Sequence, residues 1–237
     1  VRARLGSGTV LDAGCGVGHE TSRLRGAGRR VVAVDYDPAA AGEAARAHGL
    51  LAACSDAARL GLRDRSVDWA CSSHVVEHFD TPARHVAEMA RVLRRTGTAL
   101  FLTPNAPFDY ENPFHLVEFR PANLRSLLAG YFEVVWVGGL QPSPRATADF
   151  EARRAKATRL LGIADPLDLR HRVPRRWWTA AYAHGLPLAY RLMARGDAGG
   201  TTGITEDDFS LVESVDDTTA VLLAVASRPR RRPGEPA

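Results

Sequence analysis

Cysteine is scarce, with Cys15, Cys54 and Cys71 the three in 237 residues, and an odd number of thiols gives no disulfide framework. Each falls in a segment patterned as buried strand or tight turn, so reduced, chemically inert thiols are expected. Long apolar runs are missing too. No stretch of about 18 uncharged apolar residues occurs, which excludes a membrane-spanning helix from the expectation. The opening Val1-Arg2-Ala3-Arg4 lacks the apolar core of a secretory leader, so the expected location is the cytoplasm, with contact at a membrane surface left open. Position 1 is Val rather than Met, which leaves open that residues precede it. No internal repeat and no recognisable RNA-binding motif is present, so nucleic acid is not an expected partner.

What is there suits a folded enzyme-sized domain: 45% of residues are hydrophobic and 24% charged. The net charge is only +4, but it is unevenly placed. Residues 151–178 carry eight Lys/Arg against three Asp/Glu, and residues 228–237 carry four Arg against one Glu. Regional charge of this kind speaks to what the region touches.

Short apolar runs alternate with helical stretches along the first part of the chain. Thr9–Ala13, Val31–Asp35, Leu50–Cys54, Val67–Ser72, Thr98–Thr103 and Phe132–Val137 read as strands. Glu20–Gly26, Pro38–His48, Pro82–Arg94 and Pro121–Gly130 read as helices, three of them opening on proline. This alternation predicts a doubly wound α/β fold, a mostly parallel sheet covered on both faces. A last strand is expected within residues 218–228, and residues 229–237 read as a disordered basic tail.

The first strand runs into Asp12-Ala13-Gly14-Cys15-Gly16-Val17-Gly18, a bend that needs glycine for positive φ and for close approach of a ligand. A dinucleotide fingerprint would put its third glycine at position 19, where this chain has His. The second strand ends in Asp35, whose carboxylate can accept both ribose hydroxyl protons of a nucleoside. The third ends in Cys54-Ser55-Asp56-Ala57, and the fourth leads into Ser73-His74-Val75-Val76-Glu77-His78.

On these residues the chain resembles the class I S-adenosylmethionine-dependent methyltransferases of the small-molecule and sugar-modifying kind. The resemblance covers roughly residues 8–140 and is loose at Arg95 and Thr96, where the family commonly shows Pro and Gly. It implies a seven-stranded Rossmann-like sheet and S-adenosylmethionine as cofactor. It also implies a cofactor site on Asp12, Gly14, Cys15, Gly16, Gly18, Asp35, Tyr36, Asp56, Ala57 and Ser73, with Asp56 meeting the adenine amino group. Solvated or helix-capping aspartates are the plain alternatives for Asp35 and Asp56.

His74, Glu77 and His78 after strand four and His115 after strand five crowd the edge where ligands of open α/β sheets bind. Methyl transfer to a hydroxyl needs its proton removed, so His115, His78 or His74 is read as a general base. A second reading has Glu77, His78 and His115 hold a divalent metal, which imidazole and carboxylate ligands suit when it is Mn²⁺, Zn²⁺ or Fe²⁺. That reading is prompted by resemblance to the small-RNA 2′-O-methyltransferases, whose metal motif has Glu where this chain has His74. In the third reading these histidines are structural. A metal is open but not expected.

The domain expectation is a cofactor-binding core over 1–138, a mostly helical insertion or lid over 139–217, the last strand over 218–228 and the tail over 229–237. A basic lid carrying Trp177 and Trp178 suits a small acceptor, anionic or lipid-linked. The function expected is methyl transfer to a hydroxyl of a sugar, lipid-linked glycan or specialised metabolite. The alternatives are methylation of RNA or protein and, last, a non-catalytic cofactor-binding module.

Overall fold

The computed structural model describes residues 5–108, 114–152, 155 and 203–231. Its centre is a sheet of eight strands, one more than expected. They are β1 (Gly8–Ala13), β2 (Arg29–Asp35), β3 (Leu51–Cys54), β4 (Val67–Ser73), β5 (Leu93–Pro104), β6 (Phe132–Pro142), β7 (Phe209–Val212) and β8 (Val221–Pro229). Their order is β3-β2-β1-β4-β5-β8-β6-β7. The β1–β2, β1–β4, β2–β3 and β4–β5 pairs are parallel, and β8 inserts antiparallel between β5 and β6.

The order reverses at β1, so the crevice beyond the C-terminal ends of β1 and β4 is the topological switch point where such sheets bind ligands. The parallel crossovers and flanks are filled by α1 (His19–Ser22), α2 (Pro38–His48), α3 (Pro82–Val92) and α4 (Pro121–Ala129). Proline opens the last three because a missing N–H costs nothing at the first helical turn. Asp37 caps α2 by accepting from the Ala39 amide, and Gly49 ends it in the left-handed region.

Strands buried on both faces show why runs rather than alternation marked them. Leu11, Ala13, Ala70 and Phe101 belong to one core cluster, and Val10, Cys71 and Leu100, one position along, to another. On α3 the stripe Val86, Met89 and Val92 is fully buried, as its spacing predicts. Cys54 departs from expectation: β3 is an edge strand, and its thiol is exposed.

The extra strand lies inside the stretch expected to be mostly helical. β6 runs on to Pro142, past the boundary placed at 138, and its end pairs Gly139–Pro142 with Phe209–Val212 of β7. Four residues are too few for a periodicity signal, and β7 owes its conformation to that partner. A helix does cover 144–152, and residues 156–202 of the expected lid, with Trp177 and Trp178, lie outside the described residues. β8 begins at Val221 and reaches Pro229, and Arg230 continues the contact by donating to the carbonyls of Tyr131 and Ala129. The boundary placed at 228 is therefore passed by the sheet, and residues 232–237 lie outside the described residues. Among the described residues no helix is long and apolar enough to cross a membrane.

Candidate active site

The glycine bend is built by three different constraints. Gly14 has φ 91°, and a Cβ there would stand 2.2 Å from Cγ2 of Val75. Gly18 has φ 88° and packs so tightly on α2 that a Cβ would lie 2.7 Å from Ala44 Cβ and 2.8 Å from Leu50 Cδ1. Gly16 has φ 52°, and a Cβ there would meet nothing within 4 Å. Two glycines are thus required by protein contacts and the third leaves an open ledge.

That ledge borders a cavity of about 550 Å³ lined by Gly14, Gly16, Asp35, Tyr36, Ser55, Asp56, Ala57, His74, Val75, His78 and Phe79. The volume is ordinary for a small-ligand site. Asp35 binds the bend directly: the Gly16 amide donates to its Oδ2 at 2.7 Å and the Asp37 amide to its Oδ1 at 2.9 Å. Asp56 Oδ1 accepts from the Ala58 amide at 2.8 Å.

Of the residues expected to meet a cofactor, Gly14, Gly16, Asp35, Tyr36, Asp56 and Ala57 line the cavity, while Asp12, Cys15, Gly18 and Ser73 stand outside its lining. Asp12 lies beneath the bend, where the Thr21 hydroxyl donates to its Oδ2 at 2.6 Å. Burial pushes its carboxyl up to about 6, against the hydrogen bond from Thr21 and with help from nearby Asp35. Cys15 is buried, and burial likewise pushes its thiol up to about 11.

Beyond β4 the chain turns sharply. His74 has φ 54°, a left-handed conformation uncommon for a residue with a Cβ, and its amide donates to the Leu102 carbonyl of β5. A short 3₁₀ turn, Val76–His78, follows and carries Glu77 fully into the interior. Glu77 Oε2 accepts from the Thr103 hydroxyl at 3.0 Å. Its Oε1 lies 3.4 Å from His74 Nδ1, near enough for charge pairing, yet no aligned hydrogen bond reaches it. Burial raises the Glu77 carboxyl, but His74, a backbone amide and His78 together hold it below its usual range.

Segment 114–119 docks on this turn. The amides of Leu116 and Val117 donate to the Glu77 carbonyl, and His78 Nδ1 donates to the Phe114 carbonyl at 3.0 Å. Because a carbonyl only accepts, this bond places the proton on Nδ1 and leaves Nε2 bare when the ring is neutral. The His115 ring stands edge-on to His78 at 4.9 Å. His74 and His78 line the cavity, whereas His115 is outside the lining. Ligand atoms of Glu77, His78 and His115 all fall within 4.8 Å of one another.

Sequence reasoning passed over His85. It lies on the apolar stripe of α3, fully buried, with Nδ1 3.0 Å from the Ala57 carbonyl and Nε2 2.8 Å from the Ser72 hydroxyl. Its ring stacks on Phe79, with centroids 4.9 Å apart and planes 12° apart. The one signal in the sequence was a polar residue on an otherwise apolar face.

A sheet of this order, with a glycine bend after β1, a carboxylate after β2 and ionisable groups after β4, defines a nucleoside-ligand site of the methyltransferase type. Residues 11–101 match the family model described as a methyltransferase domain. A "probable S-adenosylmethionine-dependent methyltransferase" of Mycobacterium tuberculosis is 37% identical over 156 residues, covering 61% of this chain and 55% of that protein. A malonyl-[acyl-carrier protein] O-methyltransferase of Pectobacterium atrosepticum is 36% identical over 95 residues, 40% of this chain and 38% of that protein. The chain thus spans about half the length of the mycobacterial relative it matches. In fold, a methyltransferase from Thermotoga maritima superposes with a TM-score of 0.60 at 15% identity, covering 96% of this chain and 85% of that one. The core is thus similar over residues 11–101 to the methyltransferase-domain family, and its mycobacterial relative is described as S-adenosylmethionine-dependent.

Proposed function

We propose that the protein transfers the methyl group of S-adenosylmethionine to a hydroxyl of a small acceptor, with His74 taking the acceptor proton. The observation that carries this reading is one cavity bordered by the glycine bend and Asp35 at one end and by His74 and His78 at the other. The residues fit the cofactor: Gly16 leaves open space where a side chain would stand, and Asp35 presents a carboxylate at the strand end. Bound there, S-adenosylmethionine would supply a methyl group activated on its sulfonium, with a neutral thioether as leaving group.

His74 is the group placed to receive the proton. Its backbone is held left-handed, Nδ1 faces the buried Glu77 carboxylate, and the side chain is half exposed at the cavity. The Glu77 charge, 3.4 Å from Nδ1, stabilises the imidazolium that forms when Nε2 takes the proton. Thr103 fixes Glu77 through its other oxygen.

The basic composition of 151–178 supports an anionic or lipid-linked acceptor, such as a phosphorylated or lipid-carried sugar. An O-methylating relative is in keeping with an oxygen acceptor. The test is calorimetric binding of S-adenosylmethionine followed by a mass-spectrometric screen of phosphosugars, glycolipids and phenols for a gain of one methylene. A product on an oxygen is expected. Absence of cofactor binding ends the reading altogether, and product only on nitrogen overturns the hydroxyl assignment.

One observation favours a second arrangement at the same edge. The unpartnered Oε1 of Glu77, the bare Nε2 of His78 and the adjacent His115 form a carboxylate and two imidazoles of the kind that hold Zn²⁺, Mn²⁺ or Fe²⁺. In this reading Glu77, His78 and His115 would hold an ion that orients an acceptor with two neighbouring oxygens. Titration of chelator-treated protein with Co²⁺ checks it through absorption bands of the bound ion. Bands lost in His115→Gln support the ion, and their absence from the parent protein removes it.

A further inference from the structure

We propose that His85 is a positioning residue of the cofactor pocket, a neutral imidazole that fixes the loop after β3 to the turn after β4. The inference rests on the reading of the cavity as a cofactor site. Three separate cavity elements converge on this one ring. Ala57 lines the cavity from the loop after β3, and its carbonyl is bound by His85 Nδ1. Ser72 is the penultimate residue of β4, two before cavity-lining His74, and its hydroxyl meets His85 Nε2. Phe79 lines the cavity just after the 3₁₀ turn, and its ring lies flat on the imidazole. α3 holds the imidazole from behind: His85 is fully buried beside Val86, and Phe101 of β5 meets its ring edge-on at 6.2 Å.

The hydrogen bonds fix the tautomer. The Ala57 carbonyl can only accept, so Nδ1 carries the hydrogen. Burial lowers the basicity of the ring and keeps it neutral, although the Ala57 bond and the charges of Asp56 and Glu77 act the other way. Nε2 is then bare and accepts from the Ser72 hydroxyl. A purely apolar residue at this place would pack equally well on Phe79 and Val86, but would leave the buried Ser72 hydroxyl and the Ala57 carbonyl without these partners. With both bonds made, the Ala57 peptide is held with its carbonyl toward α3. Asp56, the neighbouring residue on the cavity wall, is held with it. The ring also backs Phe79, so one residue sets the positions of Asp56, Ala57 and Phe79 at once.

The test compares His85→Phe, which keeps an aromatic ring for stacking but loses both hydrogen bonds, with His85→Asn, whose side-chain amide can still donate to the Ala57 carbonyl. The probe is S-adenosylhomocysteine, with 5′-methylthioadenosine as a second ligand lacking the amino-acid arm. Binding is measured by calorimetry well below each variant's unfolding midpoint. Phe is expected to weaken both ligands at least tenfold by the same factor, and Asn is expected to recover part of that loss. If Phe lowers only the unfolding midpoint and both affinities stay within twofold of the parent, His85 is merely a core residue and the proposal is overturned. Loss of S-adenosylhomocysteine affinity alone also overturns it, because the defect would then lie at the amino-acid end. Should the parent protein bind neither ligand, it is the cofactor reading that fails.

Discussion

The two ends of the cavity are made of different material. At the β1–β2 end the wall is backbone and one carboxylate: Gly14, Gly16 and Asp35, all fixed by hydrogen bonds or close packing within a few residues of the sheet. At the β4–β5 end the wall is ionisable side chains, His74 and His78, held by a left-handed backbone, a buried carboxylate and a segment from beyond β5. The first end is shaped to accept one ligand with little rearrangement. The second carries groups that can take a proton, and on the proposed function the difference is the division between binding a cofactor and acting on an acceptor.

The sharpest way to break that division is to remove the base alone. His74→Gln keeps a polar side chain at the cavity but cannot take a proton at neutral pH. Methyl transfer to a hydroxyl is expected to slow by roughly 10²- to 10⁴-fold. Cofactor affinity should stay within about twofold, since the contacts of Gly16 and Asp35 are untouched. Single-turnover kinetics with saturating cofactor reads the first, and calorimetry the second. Turnover equal to the parent's would show that alignment alone suffices at this end.

The glycines sharpen the comparison from the other side. Gly18→Ala forces a methyl group to within 3 Å of Ala44 and Leu50 at a positive φ, and Ala44 Cα, at 2.9 Å, is backbone that cannot swing away. Overpacking together with the left-handed conformation should cost about 3 kcal/mol of stability, read from denaturant unfolding. Gly16→Ala has the same backbone constraint but open space around it, so its stability cost should be about 1 kcal/mol. Its effect should instead be on cofactor affinity, because the methyl group projects onto the ledge where the ligand approaches. A Gly16 variant that binds normally would move the ligand off that ledge.

These contrasts also explain what could be read from the chain and what could not. Gly14, Gly16, Gly18 and Asp35 announce themselves because local geometry dictates residue type, and the spacing survives in one dimension. The strands buried on both faces were legible for a similar reason, as apolar runs such as Val31–Asp35. His85 was hidden because its partners, Ala57, Ser72 and Phe79, come from three segments that meet only through α3. β7 was hidden because Phe209–Val212 is a strand only by virtue of pairing with the end of β6. The histidines after β4 were visible as a cluster, but their ranking was not. It took the fold to set His74 and His78 at the cavity and His115 outside its lining, and to turn Glu77 inward.

A last test asks whether the cofactor end is as free of ionisable cost as its lining suggests, because Asp12 lies buried directly beneath it. Burial raises its carboxyl from 3.8 to about 6. Between those values the folded protein keeps a proton that the unfolded chain has released. The Asp12 contribution to stability is therefore fully present below about pH 4 and is lost as pH rises through about 6. A shift of this size corresponds to roughly 2–3 kcal/mol across the window. Asp12→Asn keeps an acceptor for the Thr21 hydroxyl and removes the charge, so its stability relative to the parent should improve by that order between pH 4 and pH 7. Urea unfolding of both proteins at the two pH values checks it, because slopes from all other groups cancel in the difference. A parallel pair of stability curves would mean that Asp12 ionises at its ordinary value. The glycine bend would then rest on a solvated support rather than on a buried acid held at a cost.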